Sequence, residues 1–397
     1  MDIKKQLTGR NNDETALILA TISCYLPVIM SVAATAVLSA YVLFNRERRA
    51  KCTGGLANII MYSFTALTIF TAYIYDNYLG ITCSLFFFCA VIIMNFAAAV
   101  ANKQFFIRLM QIITRMGVVL SFAAFTEKLV LAPTSPYRCM AYCINPNYLA
   151  DLLVISVLAC AYLEITKNSR AIYCYSVAAI NCVAIFLTGS MFAWVSILVG
   201  LAIMLLLARR HIVLSVMFIF CVALILIAMS SPDIFPRLNE ASATTENRFR
   251  IWKLSLRFIK EYPLFGEGFL TYRIVSRNVP GSYVGWHSHN IIIECLLSFG
   301  AVGTGLIFAF FGLTFRRLGK LHEGAADKHS ASCFVIAMLV AALAHSMVDL
   351  TFMWTQTGLL GAIIIGAGIG ANYRSVKKKS CDDRQTAKSP DSAPKVE

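Results

Sequence analysis

Apolar runs of bilayer length, separated by short polar loops, set the pattern of this chain. Runs near 55–75, 81–101, 105–125, 147–166, 171–189, 191–208, 211–230, 290–315, 330–352 and 356–372 each approach one helical crossing, which takes about 20 apolar residues. An earlier run, 15–44, is interrupted by Pro27 and carries positive charge on both sides: Lys4, Lys5 and Arg10 before it, Arg46, Arg48, Arg49 and Lys51 after it. If both flanks are cytoplasmic, the run enters and returns as a hairpin of two short segments bent near Pro27. A single long tilted span is the alternative. Lipid leaves no water for backbone groups, so such spans are helical. The expected fold is an all-α polytopic membrane helix bundle of about 12 crossings, including the N-terminal hairpin. It forms one domain over 1–375, followed by a polar tail, 376–397, that reads as disordered.

The loops follow the rule that Lys and Arg collect on the cytoplasmic side. Lys103, Lys167 with Arg170, Arg209 with Arg210, and Arg316, Arg317 and Lys320 fall on one side, as do Arg374 and Lys377, Lys378 and Lys379. The other side receives Asp76–Tyr78, the loop 126–146, Leu187–Gly189, the long loop 231–288 and Trp354–Gln356. Both termini are then expected in the cytoplasm. The long loop is basic, and long loops obey the rule weakly.

Composition narrows the class. Hydrophobic residues make up 58% of the 397 and charged residues only 14%, against about 25% charged in soluble domains. The net charge of +14 reads as positive-inside loops and tail lysines near anionic lipid, with no nucleic-acid partner. The 13 cysteines are mostly dispersed through apolar spans, and none has zinc-site or CxxC spacing. Cys139 and Cys143 share one loop and are either a pair or free thiols. No metal or cofactor site is expected.

Ionisable groups inside a bilayer are costly and tend to be functional or mutually paired. Asp151 lies just inside the 147–166 run, and Glu294 one turn into 290–315. His345 and Asp349 stand one helical turn apart near the outer end of 330–352, on a shared face. All four fall at one depth, near the outer face. Arg115, mid-span in 105–125, either reaches a polar cavity or, with Arg108, lies at the interface of a span that begins later.

The long loop holds the densest chemistry. Within 247–262, Phe249, Trp252, Leu256 and Ile259 recur at helical spacing, while Arg250, Lys253, Arg257 and Lys260 take another face. This predicts an amphipathic helix lying in the interface, with Ser242, Thr244 or Thr245 as its cap. A headgroup-touching surface helix is one reading. The other is that Arg248 and its neighbours hold an anionic group, for which the arginine fork suits two phosphate oxygens. Pro263–Gly266 and Gly268 then form a turn that ends the helix. His287 and His289 follow at the mouth of the next span, where a neutral imidazole can take a proton from a hydroxyl.

These residues also carry a resemblance. Arg248 four residues before Trp252, the turn Pro263, Leu264, Gly266 and Gly268, and the pair His289–Asn290 opening a span resemble the O-antigen ligase and polymerase family. These are bacterial membrane glycosyltransferases acting on undecaprenyl-pyrophosphate-linked sugars at the outer face of the inner membrane. Asn145–Ala150 is similar to the family's Asn-Ala motif, and Leu187–Ser190 to its Thr-Gly-Ser-Arg motif, except that Met191 stands where the family has Arg. Arg115 or Arg250 is then a candidate substitute. The motifs span roughly 140–320.

The resemblance implies a metal-independent transfer from a lipid-pyrophosphate-linked glycan to a glycan or lipid acceptor, without cofactor, for O-antigen, capsule or exopolysaccharide assembly. It implies His289 as general base, with Glu294 or His287 orienting it, and Arg248 with Arg250 against the leaving pyrophosphate. Asn147, Asn290 and Ser190 would bind substrate, with Asp151, His345, Asp349 and Arg115 as further polar groups at the site. Polymerase and ligase are not separable on the sequence. The rival class is a transporter or flippase of the same glycans, which favours charge through the full depth and broken helices in matching halves. A structural subunit leaves the basic loop and paired histidines without a reason.

Overall fold

The computed structural model describes residues 3–131, 137–230, 237–325, 329–350 and 353–386. It is all-helical among these residues: α1 (Ile3–Ser23), α2 (Val28–Leu43), α3 (Arg46–Cys52), α4 (Leu56–Ile74), α5 (Tyr78–Val100), α6 (Lys103–Leu131), α7 (Pro146–Ile165), α8 (Ala171–Thr188), α9 (Met191–Leu207), α10 (His211–Ser230), α11 (Arg237–Glu261), α12 (Thr271–Asn278), α13 (Ile291–Glu323), α14 (Ala331–Ser346) and α15 (Thr355–Thr386). By length and composition α4, α5, α6, α7, α8 and α13 can each cross a membrane; α9 and α14 are apolar but shorter. The early apolar run breaks at Pro27, which opens α2, and α1 packs against α2.

Several helices start on asparagine, whose side chain satisfies N–H groups that a helix leaves without partners. Asn77 caps α5 through Gly80, Asn145 caps α7 through Asn147, and Asn290 caps α13 through Ile292 and Ile293. The centre of the bundle is α7, which packs on α6, α8, α9 and α14; 83% of its most apolar stretch is buried. A helix that is apolar all round has no lipid-facing side to spare. The few polar side chains it carries therefore meet protein. Cys139 and Cys143 are both free thiols.

The turn after α11 does more than end that helix. Gly300 interrupts α13 with φ 58° and ψ −168°, a conformation essentially reserved for glycine. The break frees backbone groups, and the turn takes them up: Ala301 N–H donates to Pro263 O at 2.8 Å, Val302 N–H to Leu264 O at 3.0 Å, and Gly268 N–H to Ser298 O at 2.8 Å. The two backbones run so close that a Cβ on Gly300 would stand 2.3 Å from the Leu264 carbonyl carbon, and one on Gly266 2.5 Å from Ser298 O. Phe269 drops from the turn onto Phe299 (ring centroids 4.6 Å apart), beside Phe64. Asn77 Nδ2 donates to the carbonyls of Glu267 and Phe269. The long loop is thus sewn to α5 and α13 at its middle.

One expectation is corrected. The helix of the long loop starts at Arg237 and runs through Ser242, Thr244 and Thr245, which are interior positions rather than caps. Its protein-facing side centres on Ile251 and Ser255, packed with Tyr272 and Leu297, while Phe249 and Leu256 are exposed. The reason is that α11 has three faces: one against protein, one apolar and outward, and one cationic with Arg250, Lys253, Arg257 and Lys260 exposed. At the other end, α15 runs as far as Thr386, its Lys, Arg and Gln being good helix formers; residues 387–397 lie outside the described residues.

Replacing Gly300 by alanine should cost about 1–3 kcal/mol from the backbone conformation alone, and the clash with the Leu264 carbonyl adds to it. The Gly300→Ala protein in detergent is expected to melt well below wild type and Gly305→Ala, whose added methyl meets nothing within 4 Å. Equal melting of all three would contradict the stitched break.

Candidate active site

Five segments converge at the end of the bundle where α8 finishes and α7, α9 and α13 begin. Their meeting point is the carboxylate of Asp349, in the loop just after α14 and 1% exposed. Its Oδ1 accepts the Leu350 N–H at 2.9 Å and lies 3.3 Å from both His287 Nε2 and His289 Nδ1. Its Oδ2 accepts a short hydrogen bond from Asn147 Nδ2. Burial works against ionising Asp349, but the two imidazoles and the Asn147 amide outweigh it and hold the carboxyl below its ordinary range.

The two histidines are not equivalent. The His289 backbone N–H donates to His287 Nδ1 at 3.2 Å. That nitrogen therefore carries no proton, and in the neutral ring the proton sits on Nε2, facing Asp349 and the Tyr148 hydroxyl 3.4 Å away. Burial pushes the His287 pKa down to about 4, helped by His289 and opposed by Asp349. His287 is a neutral ring with a fixed tautomer. His289 is only half-buried. Its Nδ1 stands at ion-pair distance from Asp349 but off the angle of a hydrogen bond, and has no hydrogen-bond partner among the described residues. Its backbone is left-handed, φ 55°, a conformation that costs a non-glycine residue on the order of 1–3 kcal/mol. The fold holds it there between His287 and the cap residue Asn290, whose Nδ2 also donates to Met347 O at 3.0 Å.

Arg248 comes from α11 and is half-buried, its guanidinium carbon 5.7 Å from the centre of the Phe192 ring at the start of α9. Burial lowers its pKa and the charge of Asp349 opposes that; an arginine remains a cation throughout. Trp252, one turn on, donates its indole N–H to Ser288 O at 3.0 Å and so ties α11 to the histidine loop. An aromatic wall of Tyr148, Trp354 and Trp286 stands beside His287, with Arg273 stacked 3.4 Å over Trp286.

The other expected residues sort as follows. Asp151 Oδ1 lies 3.3 Å from His345 Nδ1, both buried, and the His345 carbonyl accepts the Asp349 N–H, so this pair adjoins the cluster. Glu294 is fully buried but faces elsewhere: its oxygens accept from Ser288 N–H at 2.7 Å and Ser298 Oγ at 3.0 Å. It holds the histidine loop by its backbone, and Asp349 occupies the place beside the imidazoles. Ser190 is buried at the α8–α9 corner, its N–H on Thr188 Oγ1. Arg250 is exposed and paired with Glu246 at 2.7 Å. Arg115 is exposed on α6, with no ion pair or hydrogen bond to the cluster among the described residues.

One residue escaped the sequence reading. Arg138, in the loop before α7, donates from Nε to Thr188 O and from Nη2 to Asn147 Oδ1, both at 2.7 Å. A cation thus reaches the corner where Met191 supplies none. The signal was present: an arginine in a loop assigned to the side that the positive-inside rule leaves poor in cations.

Chemically the cluster offers a half-exposed imidazole beside a buried carboxylate, a second imidazole of fixed tautomer, and arginines nearby. His287, His289 and Asp349, with ligand atoms all within 4.8 Å of one another, also form a donor set that a transition metal could use.

An all-helical bundle with bilayer-length spans and this polar end defines a polytopic membrane protein. Residues 176–308 match the family model described as O-antigen ligase. No curated protein matches the chain. The matched segment supplies Arg248, His287, His289, Asn290 and Glu294; Asn147, Asp151, His345 and Asp349 come from outside it.

His287 sets a pH dependence of stability. The unfolded chain takes its proton near pH 6.5, the folded protein only near 4. Stability is full above that window and falls as pH drops through it, by about 3 kcal/mol. Melting temperatures of the detergent-purified protein should decline between pH 6.5 and 4, and His287→Gln should flatten the decline. Identical profiles for the two would contradict the buried neutral ring.

Proposed function

We propose that this protein is a glycosyltransferase of the cytoplasmic membrane. It moves a glycan from a polyprenyl-pyrophosphate carrier, such as undecaprenyl pyrophosphate, to a sugar or lipid acceptor at the outer face, for O-antigen, capsule or exopolysaccharide assembly. The observation that carries it is the convergence of His289, Asp349 and Asn147 beside Arg248, within and around a segment that matches the O-antigen ligase family. The carboxylate–imidazole pair is the arrangement that lets a hydroxyl act as nucleophile.

In this reading both termini are cytoplasmic and the site faces outward. His289 takes the proton of the acceptor hydroxyl, and Asp349 offsets the charge that the ring gains. The acceptor oxygen bonds to the anomeric carbon as the bond from that carbon to the phosphate oxygen breaks. The electron pair leaves with the lipid pyrophosphate. Arg248 meets the negative charge growing there, and a planar guanidinium fork fits two phosphate oxygens. Asn290, which caps α13, fixes the start of the helix next to the base. The transfer is metal-independent: the pyrophosphate is already an activated leaving group, and arginines supply the positive charge a metal would otherwise bring.

A deletion strain complemented with wild type, His289→Ala or Arg248→Ala tests this by surface-glycan chain length. Both variants should lose long-chain glycan at normal protein levels, and normal glycan from both would overturn the assignment. Accumulated single repeats would mark a polymerase; long lipid-linked chains left on their carrier would mark a ligase. Membranes treated with a chelator should keep transfer, and loss restored by a divalent ion would instead make His287, His289 and Asp349 a metal site.

A further inference from the structure

We propose that Arg138 is a positioning residue for the transfer reaction: it fixes the orientation of the Asn147 amide, and through it the carboxylate of Asp349 beside His289. This rests on the reading of the cluster as a transfer site. An asparagine amide can be flipped, and in one sense it offers an N–H group to a neighbour, in the other an oxygen. Next to a buried carboxylate the oxygen would repel. The guanidinium of Arg138 removes that choice, because its Nη2 donates to Asn147 Oδ1 and leaves Nδ2 to donate to Asp349 Oδ2. Every bond in the chain from Arg138 to Asn147 to Asp349 points one way, toward the carboxylate that both imidazoles face.

The arginine is itself held. Its Nε donates to Thr188 O, and the next residue, Cys139, donates its N–H to Leu187 O at 3.2 Å, so the segment clasps the end of α8. Glu127 on α6 grips the same loop from the other side, accepting the N–H groups of Met140 and Ala141 and the Tyr137 hydroxyl. A guanidinium can bridge Thr188 O and Asn147 Oδ1 at once because its donors sit in a rigid fork; a lysine ammonium has no such fork.

A plain capping role for Arg138 predicts a less stable protein with normal turnover per folded molecule. The positioning role predicts more. In purified wild type, Arg138→Gln and Arg138→Lys, assayed with a lipid-pyrophosphate-linked oligosaccharide, kcat should fall about 10- to 100-fold in both variants, with the donor KM within about twofold of wild type. Asn147→Ala should lose as much, and Arg138→Gln combined with it should lose no more. Normal kcat with lowered melting would leave only the cap. A raised donor KM at normal kcat would make Arg138 a direct pyrophosphate contact. Multiplying losses would mean independent roles. Each of these overturns the proposal.

A second measurement does not depend on the reaction. Arg138 and Asp349 share Asn147 as their link, so the melting-temperature shifts of Arg138→Gln and Asp349→Asn should be non-additive. In an Asn147→Ala background they should become additive. Additivity in both backgrounds would overturn the relay. Coupling present without any transfer by wild type would keep the relay and overturn the proposed reaction instead.

Discussion

Asp349 is a buried carboxylate on which α7 and the loop into α13 both depend. Taking one charge out of water costs several kcal/mol unless partners surround it. Here the partners are the Asn147 amide, the Leu350 N–H and the two imidazoles. They come from α7, from the loop into α13 and from Asp349's own stretch after α14. The order also runs in reverse. Once Asp349 is charged and held, the Nε2 of His287 and the Nδ1 of His289 both face an anion. An apolar residue at 349 would leave Asn147 Nδ2 without its acceptor and the histidine loop without its focus.

The scaffold makes that focus possible by sewing the long loop down. Gly300 breaks α13, and the Pro263–Gly268 turn uses the backbone groups that the break releases. The stitch sets where α11 lies, and α11 delivers Arg248 and the Trp252 indole to the histidine loop. Glu294, one turn into α13, holds the Ser288 N–H from below. Arg248 therefore comes from a helix, and hydrogen bonds pin the loops that carry His289 and Asp349, as the proposed chemistry requires.

Much of this was legible in the residues. Bilayer-length apolar runs gave the helical membrane class because lipid permits little else. Arg248, His287 and His289 stood out as polar groups in the long loop, and Asn147 and Asp349 as polar groups at the edges of spans. The face of α11 was not legible: it carries two apolar stripes, and periodicity alone cannot say which one meets protein. Arg138 was hidden because its partners, Asn147 and Thr188, are 9 and 50 residues away. The hydrogen-bond partners of Glu294 were not legible from spacing alone. It lies near His289 in sequence, but the first turn of α13 aims it at Ser288 N–H and Ser298. The partner of the imidazoles comes instead from the far end of the chain.

The central claim is that Asp349 makes His289 an effective base. Its most direct test is the turnover of purified Asp349→Asn in lipid nanodiscs with a lipid-pyrophosphate-linked oligosaccharide and its acceptor. The variant keeps the side chain's size and replaces the charged carboxylate by a neutral amide. Turnover should fall by about 100-fold or more, the scale of a general base, while donor binding persists. Wild-type turnover from a well-folded Asp349→Asn protein would contradict the account.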